Sequence, residues 1–277
     1  MGAVFSDRQA ITATGSWKLT DLSGHTAPRN LYIGCAGWSL PRAAITAFPA
    51  DGTNLERYAS VFRSVEINSS FHRPHRTSTY ERWAASVPEP FRFSVKMPKI
   101  ITHAKRLADA DDLLAQFLDE VSGLGARLGC LLVQLPPSAE LDFEIATKFL
   151  ESLRSRHSGD VFIEPRHPSW FVPAAGKLLK DFQVGRVAAD PAILPAAAEP
   201  GGLAGKVYFR LHGSPQIYYS SYTTSYLNGL AFRLRAHAHA GGRVWCVFDN
   251  TIRGAATENA LYLAKRVALG ERDAARR

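Results

Sequence analysis

Residues 206–213, Lys-Val-Tyr-Phe-Arg-Leu-His-Gly, contain the pattern that decides the fold. β-Branched and aromatic residues dominate the first half, which is typical of a strand buried on both faces. Arg210 and His212 follow two positions apart, so they share one face where the strand ends. A polar loop comes next, and a helical stretch begins at about Tyr226. The run predicts one strand, loop and helix unit with charges at the end of the strand.

The same unit recurs along the chain. Short apolar runs predict strands at 31–35, 64–68, 92–96, 130–134, 161–164, 184–188, 206–211 and 244–248. Helical stretches such as 109–122 and 143–154 lie between them, whereas 191–205 is rich in Pro, Ala and Gly and predicts a loop. Alternating strands and helices indicate a parallel sheet, and eight strands predict a TIM-like (β/α)8 barrel of the α/β class.

A single domain accounts for the pattern. We expect residues 1–30 to form an irregular, loosely structured N-terminal extension, residues 31–269 the barrel, and residues 270–277 a polar C-terminal tail. A doubly wound open sheet is the alternative architecture. It usually has a glycine-rich phosphate loop after its first strand, and the stretch 34–38, Gly-Cys-Ala-Gly-Trp, lacks that spacing.

Composition restricts the class of protein. Of 277 residues, 46% are hydrophobic and 21% charged, which is ordinary for a globular chain, and the net charge of +8 favours an anionic partner. Cys35, Cys130 and Cys246 are isolated in apolar surroundings and predict buried core residues in a reducing compartment. No apolar run is long enough for a membrane span or signal peptide. We therefore expect a cytoplasmic protein with no membrane partner.

Charged and polar residues stand where the predicted strands end. Buried strands rarely carry charges without a reason, and in a closed barrel these ends converge on the mouth where barrel enzymes build their sites. The candidate catalytic residues are Glu66, Lys96, Glu164, His212 and Asp249. The candidate substrate-binding residues are Trp38, Asn68, His103, Gln134, Arg166, His167, Arg210, Tyr219, Tyr222 and Asn250.

These residue types suit acid–base work on a bound anion. Arginines and a lysine hold phosphate or carboxylate oxygens, while Glu66 and Glu164 are candidate proton carriers and Asp249 orients a neighbour. Tyrosines at 218–222 suit a loop over a planar or sugar-like ligand. The structural alternative is a ring of paired charges that only closes the barrel end. It is weakened because buried ion pairs seldom improve on apolar packing.

A metal site is a further alternative, since histidines accompany the acidic residues. Several cations share the same predicted pocket, however, and no compact motif such as H-E-x-x-H is present. We predict no metal ligand and no cofactor, and leave a divalent metal open.

Ordered motifs along the chain carry a family resemblance. They are the stretches 34–39, 65–71, 93–96, 101–103, 132–137, 164–170, 210–213 and 249–251. Together they resemble the YecE-like family, also called domain of unknown function seventy-two, from residue 31 to about residue 266. Pro165 stands where the family tends to have an aromatic residue. Asp249 stands where it often has asparagine.

The resemblance implies a (β/α)8 barrel and no settled activity. Its architecture is similar to that of sugar isomerases and apurinic endonucleases, which is analogy at the level of the fold. We expect a hydrolase, lyase or isomerase acting on an anionic, phosphorylated sugar or nucleotide-like substrate at the mouth. The alternatives are a nucleic-acid binding or processing protein, with or without a metal, and a non-catalytic scaffold.

Overall fold

The computed structural model describes residues 28–275, with side chains described to residue 270. The predicted N-terminal extension lies almost wholly outside the described residues. The strands are β1 (Leu31–Cys35), β2 (Ser64–Ile67), β3 (Arg92–Lys96), β4 (Leu128–Gln134), β5 (Asp160–Glu164), β6 (Gly185–Arg186), β7 (Ala188–Asp190), β8 (Gly201–Gly202), β9 (Lys206–Leu211) and β10 (Arg243–Phe248).

Helices follow most of these strands. The α-helices are α1 (Asn54–Ala59), α2 (Thr77–Ala85), α3 (Asp111–Ser122), α4 (Phe143–Arg156), α5 (Pro173–Asp181), α6 (Thr224–His239) and α7 (Ala255–Ala275). Short 3-10 helices lie at Arg42–Ala47, Ser69–Phe71, Gly125–Arg127, Pro168–Phe171 and Pro195–Ala198, and a π-helix at Ile100–Ala104. Helix α7 continues into the range 270–277, where we expected a polar tail.

The strands form parallel sheets, which confirms the predicted α/β class. One sheet has the order β1-β10-β9-β7 and the other β2-β3-β4-β5-β6-β8. Every pairing is parallel except that of β6 with the short β8. The strands are thus divided between two sheets, in place of the single closed ring that the eight-strand pattern predicts.

The two sheets meet at two junctions. At one, an isolated parallel bridge joins Ala36 to Glu66, just beyond β1 and inside β2. At the other, the predicted sixth strand changes its hydrogen-bonding neighbour at Val187: β6 pairs with β5, whereas β7 pairs with β9. This predicted strand is therefore two short strands, one in each sheet.

Local sequence explains where the helices begin. Asp142 caps α4, because its carboxylate accepts hydrogen bonds from the backbone amides of Glu144 and Ile145. Helix α3 has Asp111 and Asp112 in its first turn, where negative charge is favoured by the helix dipole. Both helices bury an apolar face, which includes Phe117 in α3 and Phe149 in α4.

Besides the main hydrophobic core, a smaller cluster of buried apolar side chains lies on the strands and just beyond them. Trp245 stacks on Tyr32 and Tyr208 at centroid distances of 4.7 and 6.1 Å, and Phe162 lies 5.1 Å from Tyr208. Gly129 leaves room for the indole, since a Cβ there would approach Trp245 to 2.4 Å. We call Tyr32, Phe162, Tyr208 and Trp245 the aromatic floor.

The cysteines and the hydropathy of the helices can be read from the structure. Cys35, Cys130 and Cys246 are free and buried, as expected. Across residues 28–275 no helix combines the length and apolar character needed to cross a bilayer.

Candidate functional site

Charged side chains occupy the strand positions that follow the aromatic floor. Because strand residues alternate between faces, Arg210 lies on the same face as Tyr208, and Glu164 on the same face as Phe162. We call Glu66, Glu164, Arg210, His212 and Asp249 the charge cluster. Each of its members is almost entirely buried. The cluster joins both sheets, because Glu66 and Glu164 belong to one and Arg210 to the other.

Arg210 is the centre of the cluster and is fully buried. Its Nε donates to Glu66 Oε2 at 3.0 Å and its Nη2 to Glu66 Oε1 at 2.7 Å, a two-pronged contact. Nη1 lies 3.2 Å from Glu164 Oε2, and Nη2 lies 2.9 Å from Asp249 Oδ2. One guanidinium thus pairs with three carboxylates from three strand ends.

His212 bridges two of the same carboxylates. Its Nδ1 lies 3.1 Å from Asp249 Oδ2 and its Nε2 lies 2.8 Å from Glu164 Oε1. Each ring nitrogen therefore lies within hydrogen-bond distance of a carboxylate oxygen, which can only accept. Gln134 Nε2 donates to Glu164 Oε2 at 3.0 Å, and Arg166, a quarter exposed, lies 3.3 Å from Glu164 Oε1. Glu164 is therefore contacted by four side chains.

Tyr208 is a site residue that the sequence analysis missed. Its hydroxyl donates to Glu66 Oε2 at 2.8 Å and lies 3.1 Å from the hydroxyl of Ser94. It links the aromatic floor to the charge cluster. The available signal was its position two residues before Arg210, which places both side chains on one face of the strand.

Within the cluster, the pKa values of Glu164 and Asp249 are lowered and that of Arg210 is raised. Burial alone would raise the pKa of Glu164, but the charges of Arg210 and His212 hold it well below its ordinary value. The pKa of Asp249 is lowered by the same two neighbours against the same effect of burial. For Arg210, burial works against the charged form, yet Asp249, Glu66 and Glu164 together raise its pKa. These three groups are ionised at neutral pH.

Lys96 lies at the end of β3, and its surroundings differ from those of Arg210. It is 6% exposed, and no ion pair to its Nζ is found among the residues with described side chains. Its Nζ lies 4.0 Å from the ring centre of Phe71. Burial, followed by the charge of Arg210, lowers the pKa of Lys96 to about 8, and the opposing pull of the three carboxylates only partly offsets this.

His103 lies on the same side of the site as Lys96. Its ring packs edge to face on Phe71 at 4.9 Å, and its Nδ1 lies 2.9 Å from the hydroxyl of Thr102. Burial lowers the pKa of His103, and the charges of Lys96, Arg166 and Lys99 lower it further. Positive charge therefore gathers around this corner.

Two candidate asparagines carry buried amide oxygens. Within the described residues, Oδ1 of Asn68 and Oδ1 of Asn250 have no hydrogen-bond partner. The amide nitrogen of Asn250 donates to the backbone oxygen of Ser220 and to Asn259 Oδ1. Asn68 precedes the 3-10 helix that carries Phe71.

Four other candidates have contacts outside the charge cluster. Trp38 packs edge to face on Trp83 at 5.1 Å, and the ring of Tyr219 lies 5.4 Å from the guanidinium of Arg253. The Nδ1 of His167 accepts from the backbone amide of Ser169, and the hydroxyl of Tyr222 donates to Asp190 Oδ1 at 2.9 Å. None of the side-chain contacts found for these four in the described part of the chain is with a member of the charge cluster. In the loop that carries Tyr219, it is Tyr218 that contacts His212, at 5.8 Å between ring centres.

A cavity of about 280 Å³ adjoins the site. It lies between the 3-10 helix Ser69–Phe71, the π-helix and α3. Phe71, whose ring contacts Lys96, forms part of its wall. Its remaining lining includes Ile101 and Phe117 and is mostly apolar. In the described part of the chain, no group of three or more His, Cys, Asp or Glu side chains is arranged to hold a metal ion.

Two curated bacterial proteins are similar to part of the chain. The chain is 33% identical over 142 residues to the UPF0759 protein YecE of Escherichia coli K12. This alignment covers 51% of the chain and 50% of YecE. Identity to the UPF0759 protein YunF of Bacillus subtilis is 29% over 153 residues, covering 52% and 53%. The alignments thus span about half the length of these curated relatives.

Solved structures show the likeness of fold. A DUF72 family protein of Enterococcus faecalis aligns with a TM-score of 0.70 at 22% identity, covering 86% of this chain and 95% of that one. One of Thermotoga maritima aligns with a TM-score of 0.69 at 24% identity, covering 85% and 98%. The family profile described as "Protein of unknown function DUF72" matches residues 32–277. The chain therefore belongs to the DUF72 family, as its ordered motifs predicted.

Proposed function

We propose that the chain is an enzyme that binds a small anionic substrate above the charge cluster and acts on it by acid–base chemistry. The observation that carries this proposal is Lys96, a buried amine that contacts an aromatic ring and, among the side chains the structure describes, no carboxylate. Isolated buried charge is costly, and perturbed groups of this kind concentrate at functional sites. Arg166 and Lys99 add positive charge on the same side, where they lower the pKa of His103.

The contacts suggest a division of roles. Glu66 is fixed by two hydrogen bonds from Arg210 and one from Tyr208, which suits it to holding Arg210 in place. His212 lies between two carboxylates and has the geometry of a proton carrier. Lys96, with a pKa of about 8, can exchange a proton near neutral pH. Arg166 is partly exposed and suits contact with the substrate anion.

We also propose that the two sheets act as one TIM-like (β/α)8 barrel. The bridge between Ala36 and Glu66 spans one junction, and the chain itself passes from one sheet to the other at Val187. Hydrogen bonds from Arg210 across to Glu66 and Glu164 support the same arrangement. The working end is then the carboxyl end of the strands, the usual location of barrel active sites.

Anion binding tests the proposal directly. We expect inorganic phosphate, ribose 5-phosphate or AMP to raise the melting temperature of the protein, while ribose and adenosine leave it unchanged. Lys96→Met should weaken binding measured by calorimetry at least about tenfold, or roughly 1.4 kcal/mol. Lys180→Met, which removes an exposed charge on α5, serves as the control and should bind normally.

Two results would contradict the proposal. One is equal stabilisation by ribose and ribose 5-phosphate, and the other is undiminished phosphate binding by Lys96→Met. A single-stranded oligonucleotide in the same panel tests the nucleic-acid alternative, whose binding would weaken steeply with salt.

A further inference from the structure

Lys96 differs from the other buried cation of the site in what surrounds its nitrogen. The groups that act on it are Arg210, Glu66, Asp249 and Glu164, and the ring in contact with it is Phe71. All three carboxylates are within ion-pair distance of Arg210. The Lys96 amine is therefore buried beside carboxylates that are already paired with another cation.

From this arrangement we propose that Lys96 is an amine nucleophile that forms a Schiff base with an aldehyde or ketone group of the substrate. The inference rests on the proposed function, since it concerns the same site. It adds a substrate class, namely small carbonyl compounds that also bear a carboxylate or phosphate. It also changes the role of Lys96 from an anion-binding point charge to a covalent catalyst.

The loop that carries Phe71 is fixed against the strand that carries Lys96. The hydroxyl of Ser70 donates to the backbone oxygen of Lys96 at 2.6 Å and lies 3.0 Å from that of Ile67. Phe71 is thereby held over Nζ. An aromatic face attracts the ammonium only modestly and also packs well against the neutral amine, so it does not lock the lysine in its charged form as a carboxylate would.

The titration of Lys96 supports the same role. An amine must be unprotonated to attack a carbonyl carbon, and burial lowers the pKa of Lys96 to about 8. At pH 7 the unprotonated fraction is then about 300-fold larger than for a lysine with the ordinary pKa of 10.5.

The covalent step balances without any oxidant or reductant. The Nζ lone pair attacks the carbonyl carbon, and the carbonyl oxygen takes a proton to give a carbinolamine. Nζ loses one proton, the hydroxyl leaves as water after a second protonation, and a C=N iminium remains. The iminium accepts the electrons of a C–H or C–C bond of the adjacent carbon and becomes an enamine. The released proton passes to a neighbouring base, or the cleaved fragment leaves as a second carbonyl compound once its hydroxyl has lost a proton. Protonation of the enamine carbon restores the iminium, which is the chemistry of isomerases and lyases. Water then releases the product and restores the amine.

Proton carriers for these steps lie around the amine. His103 contacts the same Phe71 ring as Lys96, and the charge of Lys96 is among the causes that lower the pKa of His103. A neutral imidazole can accept and return protons during carbinolamine formation and dehydration. His212 is held between Glu164 and Asp249 on the cluster side.

Reductive trapping tests the proposal. The intact protein is incubated at pH 7 with glyoxylate, pyruvate or dihydroxyacetone phosphate in the presence of sodium cyanoborohydride. The reduced adduct is then located by peptide mass spectrometry. We expect at least one probe to label Lys96 more than about tenfold faster than Lys99, Lys105 or Lys180. Labelling of those lysines, with Lys96 unmodified by all three probes, would overturn the proposal.

A second set of measurements separates this proposal from the one on which it rests. If phosphate raises the melting temperature but no probe labels Lys96, the Schiff base is refuted and anion binding stands. If neither occurs, both proposals fail. Lys96→Arg retains a positive charge but cannot form the imine, so it should lose the label while phosphate still stabilises it. The mapping on the unmodified chain does not depend on whether this variant folds.

Discussion

Arg210 and Lys96 are two buried cations in the same site with opposite environments. Arg210 is fully buried and pairs with Glu66, Glu164 and Asp249, and its pKa is raised. Lys96 is 6% exposed, contacts Phe71, and its pKa is lowered to about 8. The difference shows that burial alone does not decide whether a charge is stable. Arg210 pairs with three carboxylates, whereas Lys96 has none within ion-pair distance among the described side chains, and this is why we propose a chemical role for Lys96 alone.

Removing Arg210 should have the largest effect on stability. Arg210→Met leaves three buried carboxylates without their shared cation, and breaking a buried pair in this way typically costs about 3–5 kcal/mol. We expect urea denaturation to show a loss of this size, or a protein that does not fold at all. Arg166→Met is the control, because Arg166 is partly exposed and contacts only one of these carboxylates. Equal losses for both variants would contradict the central role of Arg210.

Lys96→Met should instead stabilise the protein. The folded pKa of Lys96 lies below its unfolded value, so the unfolded chain binds the proton more tightly and the charged amine destabilises the fold below about pH 8. We expect a gain of up to about 3 kcal/mol at pH 7, which declines between pH 8 and 10.5 as the amine loses its charge in both states. Urea denaturation at pH 7 and pH 10 measures it. A loss of stability at pH 7 would show that Lys96 is structurally required.

Tyr208→Phe should have the smallest of the three effects. It removes one hydrogen bond to Glu66 while both contacts from Arg210 remain, so a loss of about 1–2 kcal/mol is expected. Tyr32→Phe, in the same aromatic floor, removes a hydroxyl that is not part of the charge cluster. It should cost less in the same denaturation assay. If the two variants were equally stable, the Tyr208 hydroxyl would contribute nothing to holding Glu66.

The sequence predicted the strands well because strand residues alternate and buried strands are apolar. A charge at the end of such a strand, as at Glu66 or Arg210, is conspicuous for the same reason. Sequence could not show which carboxylate each cation takes, because the pairs cross between sheets: Arg210 reaches Glu66, 144 residues away. It also could not distinguish Lys96 from Arg210, since their difference lies in neighbours that only the folded chain supplies.

Other differences between the sequence-based predictions and the structure have local causes. The change of partner at Val187 was invisible, because the same short run pairs on either side with different strands. His167 and Tyr222 stood out as polar residues in loops after strands, yet their partners lie outside the charge cluster, Ser169 in a 3-10 helix and Asp190 at the end of β7. Tyr208 was overlooked because an aromatic residue in a strand is usually core. Its hydroxyl, reaching a buried carboxylate, is what makes it part of the site.

The aromatic floor has a consequence for how protons move. Trp245, Phe162 and the ring of Tyr208 close one side of the charge cluster with apolar packing. With the aromatic floor on one side, a substrate bound above the charge cluster, as we propose, would limit the exchange of its protons with bulk water. A proton taken from such a substrate would then be retained and returned to the same molecule. Isotope placed on a substrate carbon would then be carried into product with little washout.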